Sequence, residues 1–115
     1  MVDVAQGDVW WADVPEPAGS GPGFRRPVLV VQGNALNRSR IATVVCVPLT
    51  SKTVWAGAPG NVRLSSKTTG LPKESVANVS QIIALDRSLL TERVGRLGPK
   101  PRAQILHGID IVLGR

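Results

Sequence analysis

The sequence predicts a β-rich domain of the α+β class, a strongly curved sheet or small barrel closed by a C-terminal helix. Two observations carry that expectation. Short runs rich in Val, Ile, Thr and Trp, separated by Gly, Pro and Ser clusters, fill the chain as far as Leu97. One segment with helical periodicity then ends it. At 115 residues the chain reads as one domain, 1–115, with no repeats and no linker, large enough to bury a core.

The elements follow in order. Gly7 to Val14 reads as a strand in which Val9 and Trp11 alternate with Asp8 and Trp10. One tryptophan therefore faces the core and the other a groove or a subunit contact. Pro15 stops the strand. The loop Ala18-Gly19-Ser20-Gly21-Pro22-Gly23 lets the backbone approach a ligand closely. Pro27 to Gln32 and Ile41 to Leu49 are continuous apolar runs of strand length, as expected for strands buried on both faces. Ser51 to Gly60 is a loop carrying Trp55, and Asn61 to Leu64 a short strand. A Ser/Thr/Lys/Gly stretch runs to Pro72. Ser75 to Leu85 reads as a third apolar strand, bent at Asn78. Asp86 to Leu90 suggests one helical turn and Arg93 to Leu97 a last strand. In Pro99 to Leu113, Ile105, Leu106, Ile109, Val112 and Leu113 recur at helical spacing, with prolines near the start.

Charge is distributed unevenly. Between Pro17 and Lys73 there is no Asp or Glu, yet eight bases occur: Arg25, Arg26, Arg38, Arg40, Lys52, Arg63, Lys67 and Lys73. With a net charge of +6 and a pI near 10.8, this half of the chain sets up a positive field suited to a polyanion, nucleic acid first. The plainer alternative is that the bases only keep a small protein soluble. The single cysteine, Cys46, excludes an internal disulfide and a Cys-rich zinc site, and its apolar surroundings predict an inert buried thiol. Met1 to Gly7 does not read as a signal peptide. No apolar stretch approaches the ~18 residues of a membrane span. The expectation is a soluble, cytoplasmic protein with no membrane partner.

The chemistry narrows by residue type. There is one histidine, His107, and no HExxH, no Cys/His spacing and no phosphate-binding GxxxxGK[ST] loop, so neither metal nor cofactor is expected. Arginines, hydroxyls and backbone amides around loops remain. They suit RNA cleavage, because RNA brings its own nucleophile, the 2′-OH beside the scissile phosphate. A protein that holds this oxygen in line and neutralises the phosphoryl oxygens needs no metal. Arginine offers two parallel donors for such oxygens.

The segments Gly7 to Val14, Gly19-Ser20, Arg26 to Gln32, Val47-Pro48-Leu49-Thr50-Ser51, Gly70 to Ala77 and Ser80-Gln81-Ile82, in this order, resemble the MazF/PemK family of toxin endoribonucleases. The resemblance covers about residues 7 to 97 and is specific as an ordered set. It implies an SH3-like β-barrel with a C-terminal helix, a homodimer, and cleavage of single-stranded mRNA at short motifs. It also implies a MazE-like antitoxin with an acidic tail. The family's catalytic arginine and threonine fall on Arg26 and Thr50. Arg26 would hold the transition-state phosphate, and Thr50 a phosphate oxygen or the 2′-OH. Many relatives carry an acidic residue where this chain has Gly21. The proton acceptor is therefore open between water, a backbone carbonyl and a carboxylate such as Asp13 or Glu16.

Gly19, Ser20, Arg25, Ser51, Lys52, Trp55 and Gln81 are the further candidates for RNA contact. Each has an ordinary structural alternative: a turn for Gly19 and Ser20, a solvated charge for Arg25, a barrel lid for Trp55, a backbone pairing for Gln81. Two other functions compete. A non-catalytic RNA-binding barrel would need stacking aromatics, and this chain has one Phe and no Tyr. A CcdB-like gyrase poison shares the fold, but that family ends in Trp-Gly-Ile and this chain in Leu113-Gly114-Arg115.

Overall fold

The computed structural model describes residues 3–14 and 24–115. Among them an antiparallel sheet curls into a half-barrel, and a C-terminal helix packs against it. The strands are β1 (Asp8–Val14), β2 (Phe24–Val30), β3 (Thr43–Thr50), β4 (Val62–Leu64), β5 (Ser75–Ala77), β6 (Ile83–Asp86) and β7 (Leu90–Arg96). Their hydrogen-bonded order is β4-β5-β3-β2-β1-β7, with β6 also paired to β3. The terminal helix spans Pro99–Leu113, as the periodicity predicts. Two four-residue helical turns precede it, α1 (Asn34–Asn37) and α2 (Ser66–Thr69), so the terminal helix is α3. No helix among the described residues is long and apolar enough to cross a membrane.

Alternation along the central strands explains the continuous apolar runs. Val28 and Val30 of β2 join Val44 and Cys46 of β3 in one cluster, with Trp10, Ala12, Leu85 and Leu90. Leu29 and Val31 face the other way. They pack with Val47, Leu49, Leu71, Val79, Leu97 and Ile105, the last of these from α3. Both faces of β2 and β3 are thus buried. Trp10 lies in the first cluster at 7% exposure, and Trp11 is only half-buried.

Backbone contact fixes α3 against the sheet. A Cβ on Gly108 would lie 2.2 Å from the Gly60 carbonyl oxygen, so glycine at 108 is what permits the helix to approach this closely. Among the described residues no buried side-chain nitrogen or oxygen lacks a hydrogen-bond partner. The Arg87 guanidinium, 4% exposed, donates to the carbonyls of Ile41 (2.9 Å), Asn37 (2.8 Å) and Leu36 (3.3 Å), and so ties down the end of α1. The buried Asp8 carboxylate accepts from Arg96 Nε at 2.7 Å and from the Ala5 amide at 2.9 Å.

Three departures from expectation have local causes. The single strand expected over Ser75 to Leu85 is two strands, β5 and β6, separated by a 3-10 turn, Val79–Gln81. The Asn78 amide, bonded to the Pro48 carbonyl at 2.9 Å, is the last rung of β5 on β3; the Val79 amide then bonds Asn61 Oδ1 at 2.9 Å, which takes the backbone out of the ladder. The Ser/Thr stretch before Pro72 contains α2, because Ser65 caps it by accepting the Thr68 amide and Gly70 ends it at φ +84°. The last strand begins at Leu90, three residues before the expected start.

Candidate functional site

The site arises where β2 and β3 part. Their ladder runs Val30 with Cys46, Leu29 with Val47 and Val28 with Pro48, and ends there. Continued by two residues on each strand, the same register sets Arg26 opposite Thr50. The ladder does not continue. Arg26 is instead paired across to Ala12 on β1, and Thr50 to Val76 on β5. Pro27 and Pro48 flank this point, and neither has an N–H to donate. The splayed strands leave a groove with Arg26 and Thr50 on its two walls.

Three adjoining cavities meet at Arg26. The largest, about 460 Å³, is bordered by Arg26 and Thr50 together with Trp11, Arg25, Leu71, Pro72 and Lys73. A second, about 380 Å³, also holds both residues, shares Lys52 with the first and adds Trp55, Asn78 and Gln81. A third, about 370 Å³, lies between Arg26, Phe24, Gln81 and Ile83. No Asp, Glu or His borders any of the three among the described residues.

Each side chain has an identifiable support. The Arg26 guanidinium lies over the Phe24 ring, 4.2 Å from its centroid, two residues back on the same face of β2. The residue lines all three cavities. Thr50 Oγ1 accepts the Lys52 amide at 3.2 Å, so the hydroxyl both ends the strand and keeps its own proton for another acceptor. Arg25 is anchored differently. It donates to Glu92 at 2.7 Å and stacks on Trp11 at 4.7 Å, at the edge of the largest cavity.

Of the sequence-predicted residues, the fold therefore brings together Arg26, Thr50, Arg25, Ser51 and Lys52 at the largest cavity. Lys52, Trp55 and Gln81 meet at the second. Trp55 is exposed on a 3-10 turn, Thr53–Gly57, and acts as no lid over the barrel core. Gly19, Ser20, Gly21 and Glu16 lie outside the described residues. Asp13 is exposed on β1 and borders none of the three cavities. Cys46 is buried, and burial pushes its thiol up to about 12. His107 is exposed on α3, beside a separate cavity.

Sequence reasoning assigned no role to Phe24, Leu71, Pro72, Lys73, Glu92 or Asn61. Asn61 joins the two turns of the second cavity: its Nδ2 donates to the Trp55 carbonyl at 2.9 Å and its Oδ1 accepts the Val79 amide. Phe24 was legible as an aromatic two positions before Arg26. Glu92 was not, because it is 67 residues from Arg25 in sequence.

A family model of PemK-like, MazF-like toxins of type II toxin–antitoxin systems matches residues 5–113. The endoribonuclease MazF2 of Mycobacterium bovis is 44% identical over 112 residues, covering 97% of this chain and 95% of that protein. Among solved structures, a mycobacterial endoribonuclease in complex with its cognate antitoxin superposes with a TM-score of 0.74 at 27% identity, covering 99% of this chain and 96% of that one. The MazE–MazF structure from Deinococcus radiodurans does so with a TM-score of 0.79 at 25% identity, covering 99% and 98%.

Proposed function

The chain belongs to the PemK-like, MazF-like family of type II toxin endoribonucleases, and we propose that the groove between Arg26 and Thr50 is where it cuts single-stranded RNA. The observation that carries this is the parting of β2 and β3, which leaves a donor-lined groove where their register would bring the two residues face to face. A phosphodiester laid across the groove meets the Arg26 fork on one side and the Thr50 hydroxyl on the other. The RNA 2′-oxygen attacks phosphorus, forming the 2′-O–P bond as the P–O5′ bond breaks. The 2′-OH loses its proton and the departing 5′-oxygen gains one. The products are a 2′,3′-cyclic phosphate and a 5′-OH.

Arginine stays protonated in proteins, so Arg26 acts as a donor. It stabilises charge developing on the phosphoryl oxygens and on the leaving oxygen. With no carboxylate among the described lining residues, the 2′ proton passes to water in this reading. Lys52 neutralises a flanking phosphate, while Trp55 and Gln81 meet neighbouring bases. The chain's partners in this reading are a second copy of itself and an antitoxin whose acidic tail competes with RNA for the same cations. Related proteins solved with antitoxin support the latter. The exposed Ile111, Val112 and Leu113 at the end of α3 support the former.

The test is incubation with a long single-stranded RNA in EDTA, with the product ends mapped. Cleavage to cyclic-phosphate and 5′-OH ends is expected. A DNA of the same sequence, which lacks the 2′-OH, stays intact. Cleavage only on addition of Mg²⁺ contradicts the mechanism.

A further inference from the structure

The largest cavity extends past the catalytic pair into a region whose composition does not suit a phosphate. Trp11, Leu49, Leu71 and Pro72 give it an apolar wall, and Arg25 and Lys73 stand at its border. Its volume of about 460 Å³ falls in the range of small-ligand pockets, about 300–1,000 Å³. An apolar wall with a charged border fits a planar heterocycle, with the face against carbon and the edge against donors.

Three neighbouring strands build that border. Glu92 of β7 is opposite Trp11 of β1, and Trp11 is opposite Pro27, two residues along β2 from Arg25. Carboxylate, indole and guanidinium thus lie in a row. Glu92 holds the guanidinium at 2.7 Å, and the guanidinium lies over the indole at 4.7 Å. The side chains of Arg25 and Lys73 donate hydrogen bonds and cannot accept them. Every base carries some acceptor; the discriminating group is the exocyclic one, where O6 of guanine or O4 of uracil accepts from these donors and the amino groups of adenine and cytosine cannot.

We propose that this cavity reads one nucleobase next to the scissile phosphate and selects a keto base, guanine or uracil. Arg25 is the specificity-determining residue and Glu92 the positioning residue that orients it. The inference rests on the RNA-cleavage reading above and adds the subsite that chooses where the cut falls.

The test is cleavage of a randomised single-stranded RNA library in EDTA, with cut sites sequenced, by the wild-type protein, Arg25→Lys and Glu92→Gln. Wild type favours guanine or uracil at one position beside the cut by about tenfold or more, the scale of one good bidentate base contact. Arg25→Lys keeps the charge and loses the fork. It flattens that position and leaves the rest of the motif in place. Glu92→Gln weakens the preference by about two- to fivefold, as befits an exposed ion pair. The proposal is overturned if wild type favours adenine or cytosine there, or if both variants keep the wild-type motif. A uniform fall in rate with no change of motif overturns it too, since a phosphate contact or a merely structural role would do that. Absence of any cut in wild type overturns the catalytic reading along with it.

Discussion

Two cavities of nearly equal size lie on this molecule, and they differ in what their polar groups are doing. One, about 460 Å³, opens beside Arg26 and Thr50 where two strands separate. The other, about 430 Å³, lies between β4 and α3, bordered by Asn61, Arg63, Gln104, His107 and Ile111. In the second, Arg63 is paired with Glu74 at 3.6 Å, and Asn61 spends its amide on the Trp55 carbonyl and the Val79 amide. Its floor is the backbone contact of Gly60 with Gly108. In the first, the Arg26 guanidinium rests on the Phe24 ring and makes no hydrogen bond to a described residue, while Arg25 at the border is paired with Glu92 at 2.7 Å. Arg87 makes the same point from the interior: a buried guanidinium with three carbonyl partners holds a turn together. Volume does not distinguish a site from a packing seam. The central cation does: among the described residues Arg26 has no hydrogen-bond partner, whereas Arg63 is held in an ion pair with Glu74.

The comparison breaks most sharply at Arg26. Arg26→Ala should lower RNA cleavage by about 10²–10³-fold, the scale of losing a transition-state donor, while leaving the thermal midpoint close to wild type because the residue is exposed. Arg63→Ala and His107→Ala, at the other cavity, should leave the cleavage rate near wild type. A fall like that of Arg26→Ala from either variant would remove the distinction between the two regions.

The next effect belongs to the packing seam. Gly108→Ala puts a Cβ within 2.2 Å of the Gly60 oxygen, so α3 must shift. Overpacking of this kind should cost about 2 kcal/mol, read as a lower denaturant midpoint. Folded Gly108→Ala protein should still cut at the wild-type motif. Thr50→Val should then reduce cleavage by roughly tenfold, in keeping with the ~1 kcal/mol scale of one hydrogen bond, and Thr50→Ser should restore most of it.

The smallest expected effect is on alkaline stability. Burial raises the Cys46 thiol from 9.0 to about 12. Between those values the unfolded chain gives up the thiol proton and the native chain keeps it. Stability from this group is therefore full below about pH 9 and declines as pH rises toward 12. Cys46→Ala should flatten that decline in denaturant titrations, while cleavage near neutrality keeps its pH dependence.

Much of this arrangement was legible in the residues, and the remainder depended on pairing. The apolar runs at Val28 to Val31 and Val44 to Val47 announced strands buried on both sides, and the periodicity from Ile105 to Leu113 gave the helix its bounds. Arg26 and Thr50 stood out as residue types in a recognisable order. That they face one another follows only from the register of β2 on β3 and from the place where it stops. The bend at Asn78 was legible, but its extent was not: the amide of Val79 is captured by Asn61 Oδ1, 18 residues earlier, and the chain leaves the ladder for a turn. The border proposed to read a base was least legible, since Trp11, Arg25 and Glu92 lie on three strands brought side by side by the curl of the sheet. In each case local pattern specified the element, and long-range pairing specified which elements share a surface.

The most direct test of the central claim is end-mapped cleavage of one long single-stranded RNA in EDTA by the wild-type protein beside Arg26→Ala. Wild type should leave 2′,3′-cyclic phosphate and 5′-OH ends, and Arg26→Ala should bind the RNA while cutting it at least about 100-fold more slowly. Equal cutting by the two proteins, or cutting that requires added Mg²⁺, would contradict the account.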